Sequence, residues 1–456
     1  MKINVYLNIT NTKYNKIMLK FNKAKLFVVF LIFIISCKEE KIKKSIIHNN
    51  FIISDGTSIN EYATVLFKEL HNEDGYILVQ KNKSDYAIDS FRIIKFNKKL
   101  DILWIKKLEL NNISDKIILN KCLLLSTDDI IIAGTLLPNY TGNDYNSSFI
   151  SKIDKYGSVE YTKIFKGTTD NFQLSDIFIE YPNIYCVSLI GVASYVLTKV
   201  SMIDNSVVSK KITSPYPYNF KGIIVSIENN NIVVAGNNNK LFIHHFNDNL
   251  SYLYGSEFNM SLYDNNFRLK NIFKSSAGYI IHATGMSDDR LSVIHLNDSF
   301  QVTSVVETNL EGLEQIEHVN NEFHISQKLV KATVYYVLDD NLRVGSFSRV
   351  LSSVNPFGWS SRFIEHRSEN KIEFLIDNVG PEGGSGFQFL ITNLKGMPCF
   401  NYEGTASITQ DVVSFLKIGD INIIPYADYT CNVLNYNLIV SNISIPKYRI
   451  IEVCSK

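Results

Sequence analysis

The chain has 456 residues, 45% of them hydrophobic, enough to bury a large core as two or three ordinary domains or one large repetitive one. Residues 1–36 carry six lysines and no acid, so the chain from Cys37 onward holds 40 basic and 45 acidic residues, a mildly acidic body that excludes nucleic acid as the expected partner. With 25 Tyr, 28 Phe and short Val/Ile-rich runs, and no sustained i, i+3, i+4, i+7 apolar spacing, the fold class is expected to be all-β.

Residues 26–35, LFVVFLIFII, form an unbroken apolar run behind Lys20, Lys23 and Lys25. Ten residues are too few to span a bilayer as a helix, which takes about 20. A basic start and a short apolar stretch are the layout of a secretory signal peptide. A buried strand or core helix, the other reading, leaves the order of lysines, apolar run and cysteine unexplained. Ile34-Ile35-Ser36-Cys37 resembles the lipobox of bacterial lipoproteins, which implies cleavage before Cys37 and diacylglycerol on its thiol. Cys37-Lys38-Glu39-Glu40 resembles the surface-export signal of Bacteroidetes-type lipoproteins, where a lysine and two acids follow the acylated cysteine. An ordinary charged tether is the alternative, so the outer-membrane address is open between the cell surface and the periplasm. Met18-Leu19-Lys20 would be a more usual start than Met1. The expected division is a leader over 1–36, a lipidated tether over 37–57, a repetitive body over 58–402 and a tail over 403–456.

Along the body one pattern recurs: alternating apolar residues, an Asn or Asp, two or three turn residues, then apolar alternation again. It reads IIKFNKKLDILW (93–104), ISKIDKYGSVEY (150–161), VSMIDNSVVSKK (200–211) and IHHFNDNLSYLY (243–254), then VIHLNDSFQVTS (293–304), YYVLDDNLRVGS (335–346) and FLITNLKGMPCF (389–400). The anchors Asn97, Asp154, Asp204, Asn247, Asn297, Asp339 and Asn393 stand 42 to 57 residues apart. An Asx side chain there can bond the backbone two residues on and close a hairpin. A second strand signal precedes each anchor, from GYILV (75–79) to NKIEFLI (370–376), and a further one precedes that, as in YATVLFKEL (62–70). Four strands and about 50 residues per unit predict a β-propeller of seven four-stranded blades, because radial stacking covers faces that one sheet leaves bare. A sandwich pair would not repeat one turn seven times, and a solenoid with coils this long would be unusual.

GYILV followed by FRIIKFNKKLDILW is similar to the repeat of large Bacteroidetes propeller proteins, typically G-Y-I-V-x-G … I-x-K-L-D-x-x-G-N-x-x-W. The likeness covers roughly 60–400 and is best in the first two units, Trp104 being the one tryptophan kept in place. It implies a fold and an address but no reaction. Residues 403–456 stay β-like, as in DVVSFLKI (411–418) and YNLIVSNI (436–443), and read as a C-terminal β appendage, with an eighth blade as the alternative.

Cys122 and Cys186 sit in apolar strand runs, where a cysteine is a small buried hydrophobe. Among Cys399, Cys431 and Cys454 one disulfide is expected in an oxidising compartment, Cys399–Cys454 first and Cys431–Cys454 second. The scattered histidines, including the adjacent His244 and His245, read as structural. No C-x-x-C, H-E-x-x-H, G-x-S-x-G, Walker A or EF-hand loop occurs, so no metal or cofactor is expected. Ser54-Asp55-Gly56-Thr57 reads as a turn, and two tryptophans are too few for a quinoprotein propeller.

The conspicuous connections fall on one end of such a propeller. LPNYTGNDYNSS (137–148), GMSDDR (285–290) and GPEGGSG (380–386) link second to third strands, while SPYPYNF (214–220) and NPFGWSS (355–361) link units. Tyr140, Tyr145, Tyr216, Tyr218, Phe357 and Trp359, with Asp288 and Asp289, are the candidate ligand-binding residues, since aromatics among adaptable polar neighbours suit a glycan, peptide or protein. The blander reading is that Pro-aromatic pairs merely cap the blades. Function is expected to be binding or scaffolding. The alternative is a glycan-active hydrolase or lyase, which needs two carboxyls about 5–10 Å apart; Asp288, Asp289 and Glu382 are the loop acids available.

Overall fold

A computed structural model of the chain describes the strand Ile46–Asn50, most of residues 62–352, and a set of strands between 361 and 442. Six blades follow one another, each of four consecutive antiparallel strands with the first innermost: residues 62–110, 116–166, 172–213, 222–260, 267–308 and 313–352. Neighbouring blades cover both faces of each sheet, so the middle strands are apolar without alternation. Ile130–Leu137 is buried along all but its last residue, and Leu241–Phe246 along its whole length.

The chain is therefore an all-β propeller with four-stranded blades, but six such blades are found rather than the expected seven or eight. The anchor Asn393 belongs to a different kind of sheet. Ser361–His366, Lys371–Val379 and Ser385–Asn393 take their outer strand from Ile46–Asn50, which pairs antiparallel with Ile46 opposite Ile391 and Asn50 opposite Phe387. Residues assigned to the tether thus close the ring from the other end of the chain. Phe363 stands edge-on to Tyr335 of blade 6, and Ile364 packs on the core of blade 1. Lys68 and Glu317 pair at 2.5 Å between the inner strands of blades 1 and 6.

The tail is neither an eighth blade nor a separate appendage. Its short strands each add an antiparallel fifth strand to the outer edge of a blade, in reverse order round the ring. Asn401–Tyr402 joins blade 6, Gln410–Val412 blade 5, and Phe415–Asp420 blade 4. Ala427–Asp428 then joins blade 3, Asn432–Asn435 blade 2 and Leu438–Asn442 blade 1. A bare outer strand offers a row of unpaired N–H and C=O groups to any passing chain, and the belt covers it.

The hairpin chemistry is the one expected. Asn97, Asp154, Asn247, Asn297 and Asp339 each accept through Oδ1 from the backbone N–H two residues on and again four residues on. Asp204 accepts from Ser206. The third residue after four of these anchors has positive φ: Gly157, Leu250, Phe300 and Leu342. Leu250, Phe300 and Leu342 tolerate that conformation because their side chains turn into the core. Gly157, with φ of +81°, has no such freedom to be replaced, since a Cβ there would lie 2.7 Å from Lys106 Cγ and 3.1 Å from the Trp104 ring. Gly157→Val is expected to cost about 2–3 kcal/mol of unfolding free energy by denaturant titration. An unchanged midpoint would show that this turn relaxes freely.

Alternating connections define two ends. The turn end carries the first-to-second and third-to-fourth hairpins of every blade. The loop end carries the second-to-third connections and the crossings between blades.

Candidate functional site

The inner strands share an irregularity that shapes the axis. Five of them bulge by one residue at the same place: Val65, Asn120, Ser175, Lys270 and Glu314. A bulge leaves one residue out of its ladder and re-aims its side chain. Asn120 Nδ2 donates to the Leu174 carbonyl of the next blade at 3.0 Å. Ser175 Oγ donates to the Ile223 carbonyl at 2.7 Å and accepts from its N–H at 3.0 Å. The residue after the bulge continues the stitching. Lys121 Nζ meets Asp176 Oδ1 at 2.6 Å and the Ile177 carbonyl at 2.9 Å, Asp176 Oδ2 accepts from Val225 N–H at 3.0 Å, and the Gln315 side chain both donates to and accepts from the backbone of Phe363. Side chains, not main-chain ladders, hold the inner ring together.

Below the bulges the inner strands of blades 2 to 5 splay around a cavity of about 750 Å³ that opens at the turn end. Its wall is apolar, with Leu123, Leu125, Ile177, Ile179, Ile272 and Phe273. Ser126, Thr127, Tyr181 and Met202 form the rim, all from hairpins. Tyr181 is 79% exposed, so its ring stands clear of the protein. The ionisable groups are already engaged. Asp176 is tied to Lys121, and Lys152 lies 3.1 Å from Asp129 and 2.7 Å from Glu160. Burial pulls the Lys152 ammonium down, but its bonds to Glu160 and Asp129 outweigh this and hold it above the usual lysine range. The Lys155 N–H also donates to Asp129. Such a site can clasp an apolar group beside fixed polar partners; among the described residues the acids and lysines along its wall are engaged with one another.

The hairpins around the mouth are braced. Asp128, itself buried, accepts from the backbone N–H groups of His71 and Asn72, at 2.5 and 2.9 Å, and so buckles blade 2 to blade 1. Asn321 does the same for Ser276 between blades 6 and 5.

Of the sequence candidates, Tyr140, Tyr145, Tyr216, Tyr218, Asp288, Asp289, Phe357 and Trp359 lie outside the described residues, as do Cys37, Cys399, Cys431 and Cys454. Cys122 and Cys186 are buried, and burial pushes the Cys122 thiol up. His244 and His245 are also buried: His244 Nδ1 bonds the Tyr195 hydroxyl at 2.7 Å, and His245 stacks on Tyr254. The turn-end cavity itself was missed by sequence reasoning. Its signal is the loss of alternation at the ends of inner strands, as in Leu123-Leu124-Leu125 and Ile177-Phe178-Ile179, where consecutive residues are apolar and all but Ile177 are only partly buried.

No protein-family model and no curated protein matches the chain. Several solved structures are similar to it. A Bacteroides caccae protein of unknown function is 12% identical over 57% of this chain and 90% of its own, with a TM-score of 0.35. The Dos1 propeller is 11% identical over 79% and 96%, with a TM-score of 0.45. The polysaccharide lyase Uly1 is 9% identical over 78% and 100%, with a TM-score of 0.41. Likenesses at this level say nothing of what this chain binds or does.

Proposed function

We propose that the chain is an outer-membrane lipoprotein, anchored by lipid on Cys37, whose propeller binds or scaffolds a ligand without transforming it. The observation that carries this reading is the axial cavity: an apolar wall of useful size whose acids, Asp129 and Asp176, are both bound to lysines. A carboxylate fixed in an ion pair is a poor proton donor, whereas an apolar hollow with satisfied polar edges favours holding. The loop end is a second surface for a glycan, peptide or protein, through Tyr140, Tyr145, Tyr216, Tyr218, Phe357 and Trp359, with Asp288 and Asp289 beside them.

The test is a glycan-array and pull-down screen with detergent-solubilised protein, followed by mass spectrometry of each retained ligand. Retention without a product is the expected result, and turnover of a retained glycan would replace this reading with the enzymatic one. Trp359→Ala should weaken a loop-end ligand by about 2 kcal/mol or more while leaving the melting temperature unchanged. A large stability loss without a binding effect would make Trp359 a packing residue. Cys37→Ala should abolish labelling by a fatty-acid probe; unchanged labelling would remove the anchor.

A further inference from the structure

Every large hydrophobic side chain that is exposed among the described residues lies at the turn end. Tyr181 and Ile203 stand on hairpins of blade 3 and Tyr156 on one of blade 2. The others, such as Leu103 and Tyr254, sit within the first three residues of outer strands, which start at that end. Scattered singly, such residues mean little, but Tyr181 also rims the apolar cavity, and Ile203 follows Met202, another rim residue. The same hairpins are acidic: Asp and Glu outnumber Lys and Arg more than two to one, and although Asp74, Asp248 and Asp298 pair with Lys98, Lys199 and Lys274, the acids remain in excess.

Strand direction says what this end faces. Ile46–Asn50 runs antiparallel to Ser385–Asn393 as an outer strand, so Ile46 lies at the turn end and Asn50 at the loop end. Cys37 precedes Ile46 by nine residues, a reach of at most about 30 Å when fully extended. With lipid on Cys37, the apolar and acidic end therefore looks toward the membrane and the loop end away from it. An anionic lipid surface repels the acidic hairpins.

We infer that the turn end docks onto a protein embedded in the same membrane, whose exterior presents a cationic segment that inserts an aliphatic or aromatic side chain into the axial cavity. This deepens the reading of the chain as an anchored binding protein and rests on lipidation of Cys37. The acids steer and orient the segment, while the cavity and the Tyr181 rim supply the buried anchor.

The test places a photo-crosslinking amino acid in the full-length protein, in intact cells, at Tyr181 or at Gln173, an exposed residue near the loop end. Tyr181 is expected to capture an integral membrane protein with basic exterior segments, and Gln173 is not. Capture should fall about tenfold with Ile203→Asp, and as much with Asp74→Lys combined with Asp298→Lys. In vitro, a synthetic Lys/Leu/Phe heptapeptide should bind the solubilised protein, and more weakly as salt rises from about 0.1 M to 1 M, while its Glu/Leu/Phe counterpart should not. Adducts with a second copy or with lipid, equal capture at Gln173, or peptide binding indifferent to the charge reversal would each overturn the proposal. Peptide binding without fatty-acid labelling of Cys37 overturns the anchor and with it the membrane-embedded partner. Labelling without peptide binding overturns the docking alone.

Discussion

Lowering the pH from about 7 to about 5 is expected to destabilise the propeller by several kcal/mol, before carboxylates contribute. His244 and His282 are buried, and burial pulls the imidazoles of both down to about 3; His245 is pulled down to about 4. An unfolded histidine titrates near 6.5, so between that value and the folded one the unfolded chain binds protons that the folded chain refuses. Stability is therefore complete above pH 6.5 and drains away as the pH falls below it. At 1.36 kcal/mol per pH unit, each such group removes on the order of 2 kcal/mol by pH 5. Glu73 and Asp248 have carboxyls held low by bonds to Lys95 and Lys199, and they act in a lower window, below the usual carboxylate range. Thermal melts from pH 7 to 5 measure the slope, and a flat melting temperature would refute the account. His282 isolates one contribution, because neither ring nitrogen has a partner in the described structure. His282→Leu removes two orphaned polar atoms and should raise the melting temperature at pH 7 while making the acid slope shallower.

The sequence reads well where the chemistry is local. Each Asx anchor closes a hairpin on its own backbone within four residues, so Asn97, Asp154, Asn247, Asn297 and Asp339 could be found without any partner strand. The same locality misled the count. Asn393 carries the anchor signature, yet its sheet borrows a strand from Ile46–Asn50, more than three hundred residues away, and nothing in IIHNN marks Phe389 as its neighbour. The tail fails for the same reason: its alternation announces strands but not which edges they join. The axial cavity belongs to no segment at all. Leu123, Ile177, Val225 and Ile272 come from four blades, and only ring closure brings them together. Side-chain stitching such as Ser175 to Ile223 is likewise invisible, because a bulged serine looks like any other strand serine.

Ending the chain at Asn393 is expected to make the propeller aggregate. The deletion removes the fifth strand from all six blades and bares the outer edges Ile102–Leu110, Val159–Lys166, Val207–Thr213, Tyr252–Met260, Val302–Thr308 and Val344–Ser352. Each bare edge is a template for pairing with another chain. Ile439→Pro is the milder probe, since proline cannot donate and Ile439 lies opposite Glu109 in the belt strand on blade 1. Light scattering and the melting temperature should order the three proteins as intact, Ile439→Pro, truncated. A monomeric truncation with an unchanged melt would mean that the belt is not part of the fold. The belt begins on blade 6 and ends on blade 1, the two neighbours of the sheet closed by Ile46–Asn50, so its ends flank a single sheet. Cys399 precedes its first strand by two residues and Cys454 follows its last by twelve. The proposed Cys399–Cys454 disulfide would latch it. Reductant should then lower the melting temperature of the intact protein and leave the truncation unaffected, whereas a Cys431–Cys454 peptide in the non-reduced digest would place the latch within the belt instead.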